Sequence, residues 1–261
     1  RYHVRPPRRR RGASGPACIV KLARNLRLSL YQLWLGGVSV LMLGTLNRVL
    51  RVEMGLDLAL IGLLLGGAHY LAALVSIPIG HHSDTHPYRG YHRLPYILGG
   101  TALALLTVVS APFVALWVAQ DPTLGRLALA FAFFFVEGLG INVGATAYLA
   151  LVTDQTGERE RGRVVSIIWT MMMVGILAAA LGGAGYLESY SFPRLVALFA
   201  ITAGAGILLV ALAVWGLERR RTAPLPAGRH PLRAAFLVLR RSRQTRLFFA
   251  FILLGLFFHF L

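Results

Sequence analysis

The stretch Gly80-His81-His82-Ser83-Asp84-Thr85-His86-Pro87-Tyr88-Arg89-Gly90-Tyr91-His92-Arg93-Leu94-Pro95-Tyr96 separates two long apolar runs. Residues 58–80 and 94–118 contain no Asp, Glu, Lys or Arg. A membrane-spanning helix needs about 20 predominantly apolar residues, so each run is long enough to cross a bilayer. The stretch between them is too short for a domain and too polar for lipid. It therefore predicts a tight turn at a membrane surface between two spanning helices.

The composition of the whole chain also predicts a membrane protein. Of its 261 residues, 56% are hydrophobic and 14% are charged, whereas a soluble domain carries about 25% charged residues. The net charge of +17 could indicate a nucleic-acid-binding protein. The arginines lie between apolar runs, however, and not on one soluble domain. We therefore expect the lipid bilayer, and no nucleic acid, as a partner. The single cysteine excludes an intramolecular disulfide framework.

The apolar runs divide the chain into four parts. A basic tail occupies residues 1–28, and a six-helix transmembrane bundle occupies residues 29–217. A basic linker with an amphipathic surface helix follows at 218–246, and a seventh span begins within 247–261. The six predicted spans cover residues 30–50, 58–80, 94–118, 127–152, 164–187 and 195–217. This plan predicts a fragment of a twelve-helix transporter that ends shortly after its midpoint.

The distribution of Lys and Arg predicts the orientation. The tail, the turns after spans two and four, and the linker together carry 23 of the 27 basic residues. The remaining four are Arg48, Arg51, Arg126 and Arg194, near the other ends of the spans. Because basic loops remain in the cytoplasm, we expect a cytoplasmic N terminus.

The turns after spans two and four resemble the cytoplasmic signature of the major facilitator superfamily. That signature contains a glycine, an acid four residues later, and then basic residues. We expect a gating or helix-tethering role, in which Asp84 contacts an arginine or a helix terminus near the turn after span four. The alternative is simple positive-inside anchoring with weak surface ion pairs. The residues concerned are Gly80, Asp84, Arg89, Arg93, Asp154, Arg161 and Arg163. The histidines of the first turn lack a fixed ligand spacing, so we expect no metal site.

Several polar residues lie within the spans. Glu137 is about ten residues into span four, roughly 15 Å deep, where an unpaired charge costs at least ~2.5 kcal/mol. We expect its side chain to face the bundle interior, either in a functional role or as a protonated carboxyl bonded to a neighbouring helix. Asn142 follows in the same span. Arg48, beside Asn47, either extends to the interface or pairs with Glu137.

Two histidines in the apolar runs are candidate pigment ligands. His69 lies in span two and His259 in the seventh span. A neutral imidazole can ligate the magnesium of a chlorin, although interhelical hydrogen bonding is a commoner role for a histidine in a membrane. In span five, Gly175, Ala179 and Gly183 recur every four residues. That spacing is typical of a close-packing helix face.

Three stretches carry a more specific resemblance. Residues 44–53 read Gly-Thr-Leu-Asn-Arg-Val-Leu-Arg-Val-Glu; Ser83-Asp84-Thr85-His86 leads to His92-Arg93-Leu94-Pro95-Tyr96; and Thr153-Asp154 precedes Arg163-Val164-Val165-Ser166. Together they resemble the PucC family, also called the bacteriochlorophyll delivery family, of phototrophic bacteria. The resemblance covers residues 28–261. It implies the major facilitator superfamily fold, a multi-pass protein of the bacterial inner (photosynthetic) membrane, and a role in assembling light-harvesting complexes.

Two functions are therefore considered. The resemblance implies an antenna assembly factor or antenna-associated subunit that handles bacteriochlorophyll. It would bind antenna polypeptides, or the photosynthetic reaction centre–antenna complex, through an apolar lateral surface that includes the aromatic run at residues 131–135. The alternative is a proton-coupled transporter of a small solute that uses Glu137. That function requires a water-accessible cavity lined by spans one and four. The sequence contains no nucleophile motif or phosphate-binding glycine loop, so we expect no enzyme activity.

Overall fold

The computed structural model describes residues 16–75, 90–158, 160–218, 242–247, 250–251 and 254, and its regular structure in those ranges is helical. Six of these helices are long and apolar enough to cross a membrane. The prediction of an all-α, multi-pass membrane protein is therefore confirmed. Most of the predicted tail, linker and seventh span lies outside the described residues, including the candidate ligand His259.

The six spanning helices follow one another with short connections. Helix α1 is α-helical over Pro16–Val40. It then continues through two π-helical segments, Leu41–Leu46 and Val49–Glu53. The others are α2 (Leu58–Val75), α3 (Leu94–Gln120), α4 (Leu124–Gln155), α5 (Arg161–Tyr186) and α6 (Phe192–Val214). Helix α1 thus starts well before the apolar run at residue 30. A helix needs only backbone hydrogen bonds to continue into a polar surface region, so hydropathy does not mark where it starts.

Two pairs of helices form the most extensive contacts of the bundle. Helix α1 packs against α5, and α3 packs against α4, while α6 contacts both α1 and α3. Helix α2 contacts α4 through a third π-helical segment, Gly62–Gly67. The bundle interior is a continuous apolar core to which all six helices contribute.

Glycines allow the two main helix pairs to approach closely. A Cβ on Gly175 would overlap the backbone of Leu33 in α1, and a Cβ on Gly100 of α3 would lie 2.6 Å from the backbone nitrogen of Gly144 in α4. Ala179 faces Gly37 of α1. The close-packing face predicted on α5 therefore exists, and it is used within the bundle, against α1. Small residues at such positions let helix backbones come close, which drives helix association in lipid.

The lateral surface of α5 and α6 is apolar and exposed. Its most exposed large side chains include Leu177, Leu181, Ile207 and Leu208, and Leu181 is 74% exposed.

The aromatic run in α4 differs from the sequence-based expectation. Phe134 is buried and the other phenylalanines of the run are half-buried, because they pack against the core. The run therefore faces mainly inward and contributes little to the exposed lateral surface.

Candidate functional site

The intramembrane acid Glu137 lies inside the bundle, as predicted. Glu137 is only 4% exposed. The nearest ionisable side chain is that of His69 in α2, whose Nδ1 atom lies 3.8 Å from Glu137 Oε2. The alternative pairing with Arg48 is wrong. Arg48 has a side chain that is 53% exposed and lies 4.0 Å from Glu53, because it belongs to the last turns of α1 at the bundle surface. Its neighbour Asn47 is half-buried.

The contact between Glu137 and His69 depends on the next residue in α4. A Cβ on Gly138 would lie 3.0 Å from the Cα of His69, 3.1 Å from its Nδ1 atom and 3.0 Å from the Cβ of Ala72. Any larger residue would hold α2 away from α4. Gly138 therefore sets the helix separation that places the imidazole beside the carboxyl.

A cavity of about 200 Å³ opens beside this pair, between α1, α2 and α4. Its polar wall consists of Ser39, His69, Glu137 and Asn142, and its other walls are apolar. Ser39 Oγ donates a hydrogen bond to the Leu35 carbonyl at 2.9 Å, and Asn142 Nδ2 donates to the Gly138 carbonyl at 2.7 Å. Glu137 Oε1 is buried and accepts no hydrogen bond from the residues that the structure describes. Glu137 therefore lines the cavity, and one of its carboxyl oxygens is buried without a partner among the described residues.

The π-helical segments form part of the cavity wall. Met42 and Leu43 come from Leu41–Leu46 of α1, and Leu65 comes from Gly62–Gly67 of α2. Single π-helical turns within longer helices are rare and are frequent at functional sites, because the wider turn redirects side chains. The sequence gives only a weak signal for them, namely the glycines within both segments.

The chemistry available in the cavity is that of one carboxyl and one imidazole. Together they can hold a proton, accept a hydrogen bond from a ligand, or coordinate a metal through the ring nitrogen that faces away from the carboxyl. The volume is below the roughly 300–1,000 Å³ of pockets that enclose a drug-sized ligand. Water or a small solute can be enclosed, but a four-pyrrole macrocycle cannot.

A second polar cluster ties together the ends of α3, α4 and α6; we call this end of the bundle the basic end. Arg93, at the start of α3, lies with its Nε atom 3.4 Å from Asp154 Oδ2, near the end of α4. Gln155 Nε2 donates to the Leu217 carbonyl at 2.8 Å. Two of the predicted signature residues, Arg93 and Asp154, are therefore in contact.

Of the other signature residues, the structure describes only Arg161 and Arg163. Arg161 and Arg163, in the first turn of α5, are exposed to the surroundings of the bundle. Gly80, Asp84 and Arg89 lie outside the described residues. The expected contact between Asp84 and the turn after α4 therefore stays a prediction.

Glu218, which no sequence motif singles out, caps α3. One carboxyl oxygen accepts from the backbone N–H groups of His92 and Arg93, at 2.7 and 3.0 Å. The other accepts from Arg93 and Leu94, at 3.2 and 2.6 Å. A helix start leaves such N–H groups without partners, and Arg93 provides no side-chain cap of its own. The Glu218 carboxylate, which follows α6 in the chain, accepts hydrogen bonds from these N–H groups. Its negative charge also interacts favourably with the positive end of the α3 dipole.

Comparisons with known proteins identify the family. The family described as PUCC protein matches residues 45–261. Protein PucC of Rhodobacter capsulatus is 33% identical over 223 residues, which cover 81% of this chain and 48% of that protein. The Bacteriochlorophyll synthase 44.5 kDa chain of the same species is 36% identical over 206 residues, covering 78% and 46%. Protein PucC of Rhodovulum sulfidophilum is 31% identical over 207 residues, covering 76% and 45%.

The chain thus spans about half the length of these curated relatives. No solved structure matches it, so the major facilitator superfamily fold stays a prediction. The family match includes His69, Glu137, Arg93, Asp154 and Glu218, which means that both clusters lie within the shared region. The resemblance noted in the sequence is confirmed: the chain belongs to the PUCC protein family.

Proposed function

We propose that this chain is part of a membrane protein that assembles light-harvesting antenna complexes in a phototrophic bacterium. In this role it handles bacteriochlorophyll and docks antenna polypeptides or a reaction centre–antenna complex. The observation that carries the proposal is family membership over residues 45–261. A relative whose name includes bacteriochlorophyll synthase supports the pigment part of it.

The proposed role is binding, without catalysis. On the cavity wall, Ser39 is the candidate nucleophile, but its hydroxyl donates to the Leu35 carbonyl within α1. Nucleophilic catalysis needs a hydroxyl within hydrogen-bond reach of a base. The geometry of Ser39 therefore favours a structural role for this hydroxyl, while His69 and Glu137 remain available for a ligand.

The proposed location is the bacterial inner membrane, with the basic end in the cytoplasm. The count of 23 basic residues against 4 supports this orientation. The structure adds that Arg93, Arg161 and Arg163 belong to helix starts on the same side of the bundle as the Asp154 end of α4.

The proposed docking surface for antenna helices is the apolar lateral face of α5 and α6. Leu177, Leu181, Ile207 and Leu208 are exposed there. Lipid tails are as apolar as leucine, so a partner helix gains little from apolar burial and must bind through close packing. A Cβ added to Gly182 of α5 or to Gly204 of α6 would have no atom within 4 Å, so each glycine leaves room on its own helix for such packing.

The docking proposal predicts that antenna polypeptides co-purify with the protein. We expect mass spectrometry after gentle detergent extraction to detect them with the tagged wild-type protein. Gly182→Leu combined with Gly204→Leu should reduce their recovery several-fold, because both side chains would fill the open face. The matched control, Gly125→Leu, changes a glycine that also has open space but lies at the start of α4. Equal recovery from all three proteins would contradict docking on this face.

The cavity also supports a second candidate function. A proton-coupled transporter of a small solute needs a cavity between spans one and four with a titratable group. The described cavity is lined by α1 and α4 and contains Glu137. The two functions differ in what they require of Glu137, because only the transporter needs its carboxyl to titrate.

A further inference from the structure

The polar side chains of the cavity between α1, α2 and α4 offer mainly hydrogen-bond acceptors. Ser39 Oγ donates to the Leu35 carbonyl at 2.9 Å, and Asn142 Nδ2 donates to the Gly138 carbonyl at 2.7 Å. Each of these bonds lies within one helix and uses a donor of the side chain. The lone pairs of the Ser39 hydroxyl and the Oδ1 atom of Asn142 are therefore the groups that can accept a hydrogen bond from a ligand.

Glu137 adds a third acceptor to the same cavity. This residue lines the cavity and is almost fully buried. Its Oε1 atom accepts no hydrogen bond from the residues that the structure describes. A buried polar atom without a partner is destabilising and is rare in folded proteins. A ligand that carries a hydrogen-bond donor would satisfy it.

The carboxyl of Glu137 also lacks a permanently charged partner. Among the described residues, those that line the cavity include no Lys or Arg. His69 Nδ1 lies 3.8 Å from Glu137 Oε2, which is beyond hydrogen-bond distance, and an imidazole is charged only when it is protonated. An ionised carboxyl within the membrane is costly without a countercharge. A cation in the cavity would supply that countercharge.

The size and the apolar walls of the cavity determine which kind of cation fits. The volume of about 200 Å³ is too small for a drug-sized ligand but can hold several water molecules. Leu65, Phe134 and Ile141 are among the apolar side chains of its walls. Such walls favour an alkyl group over the water shell of a metal ion. A primary ammonium has three N–H donors on one nitrogen, so with a short alkyl chain it matches both the three acceptors and the apolar walls.

We infer that this cavity binds a small primary ammonium ion, whose N–H groups donate to Glu137, Ser39 and Asn142. Met42 of α1 and Leu65 of α2 line the cavity from π-helical segments, which are frequent at functional sites. The inference goes beyond the assembly function proposed above, because that function rests on family membership and does not use this cavity.

The test measures how cations change the melting temperature of the tagged wild-type protein in a non-ionic detergent. The probe is ethylammonium chloride. Tetramethylammonium chloride, which has no N–H donor, is titrated separately as the control for ionic strength. A probe with three non-hydrogen atoms binds with a Kd of about 1 mM at best. At about 100 times that concentration, binding to the folded state should raise the melting temperature by several degrees.

Two substitutions test the acceptors. Glu137→Gln should lower the apparent affinity for ethylammonium at least tenfold, because it removes the charge and keeps the size of the side chain. Asn142→Leu should lower it several-fold, because it keeps the size and removes an acceptor. The matched control is Glu188→Gln, which changes an exposed acid in the connection between α5 and α6 and should bind as the wild type does. Each variant is compared with itself without the probe, so that a change in its own stability does not affect the result.

Four results would overturn the inference. The absence of a shift with ethylammonium would mean that water alone fills the cavity. An equal shift with tetramethylammonium would show that the N–H donors are not recognised, and an equal or larger shift with sodium chloride would assign the cavity to a metal ion. A shift that persists in both Glu137→Gln and Asn142→Leu would place the binding elsewhere, and if one of these variants does not insert, the other gives the same comparison. None of these results bears on the assembly function, which is tested by co-purification of pigment and antenna polypeptides.

Discussion

Replacing Glu137 with Gln should leave the antenna level of cells close to that of the wild type. Gln keeps the length and the polar end of the Glu137 side chain, whose Oε2 atom lies 3.8 Å from His69 Nδ1, so a polar group remains between α2 and α4. What the substitution removes is titration, and the proposed assembly function does not use it. Glu137→Leu, which lacks any acceptor, should lower the antenna level several-fold.

A proton-coupled transporter predicts the opposite pattern. Such a protein must take up and release a proton at Glu137, and Gln cannot do so, so transport should be abolished while the protein remains folded. The measurement is the near-infrared absorbance of membranes from cells that carry each variant, normalised to the amount of inserted protein. Complete loss of antenna in Glu137→Gln with stable protein would contradict the assembly function and favour the transporter.

Replacing Glu218 with Ala should cause a large loss of stability. Its carboxylate accepts hydrogen bonds from three consecutive backbone N–H groups at the start of α3. A hydrogen bond to a charged group contributes about 1.5–3 kcal/mol, and loss of a helix cap costs about 0.5–2 kcal/mol. Because water can reach part of this site, we expect a net loss of about 2–4 kcal/mol, seen as a lower melting temperature in detergent.

The matched control for this prediction is Glu188→Ala. Glu188 is an exposed carboxylate in the connection between α5 and α6, at the opposite end of the bundle. Its replacement should leave the melting temperature within about a degree of the wild type, since exposed substitutions usually change stability by less than about 0.5 kcal/mol. Glu218→Gln should lie between, because one amide oxygen replaces two carboxylate oxygens. Equal melting temperatures for Glu218→Ala and Glu188→Ala would show that the cap contributes little.

The spanning helices could be predicted from sequence because the physical signal is strong. Each span is an uninterrupted apolar run of about the length that a bilayer requires. The start of α1 at Pro16 could not be predicted in this way, because Lys21, Arg24 and Arg27 interrupt the apolar pattern between Pro16 and the span. The π-helical segments depend on how α1, α2 and α4 pack, which a single sequence does not contain.

The candidate site was only partly predictable. Glu137 stands out because a carboxyl within an apolar run is costly unless it is buried and partnered. Its partner could not be chosen from sequence, since both Arg48 and His69 lie in neighbouring spans and only the helix register separates them. Gly138 is a signal that could have favoured His69, because a glycine marks a close helix contact. Glu218 resembled the first residue of a linker, and only the fold brings it to α3.

The most direct test of the central claim is the absorption spectrum of the wild-type protein, tagged at its own gene and extracted gently from pigment-producing cells. The control is an unrelated tagged membrane protein from the same cells. Handling of bacteriochlorophyll predicts near-infrared pigment bands that co-elute with the protein and are missing from the control. A pigment-free protein, recovered under conditions that keep the antenna complexes intact, would contradict this function.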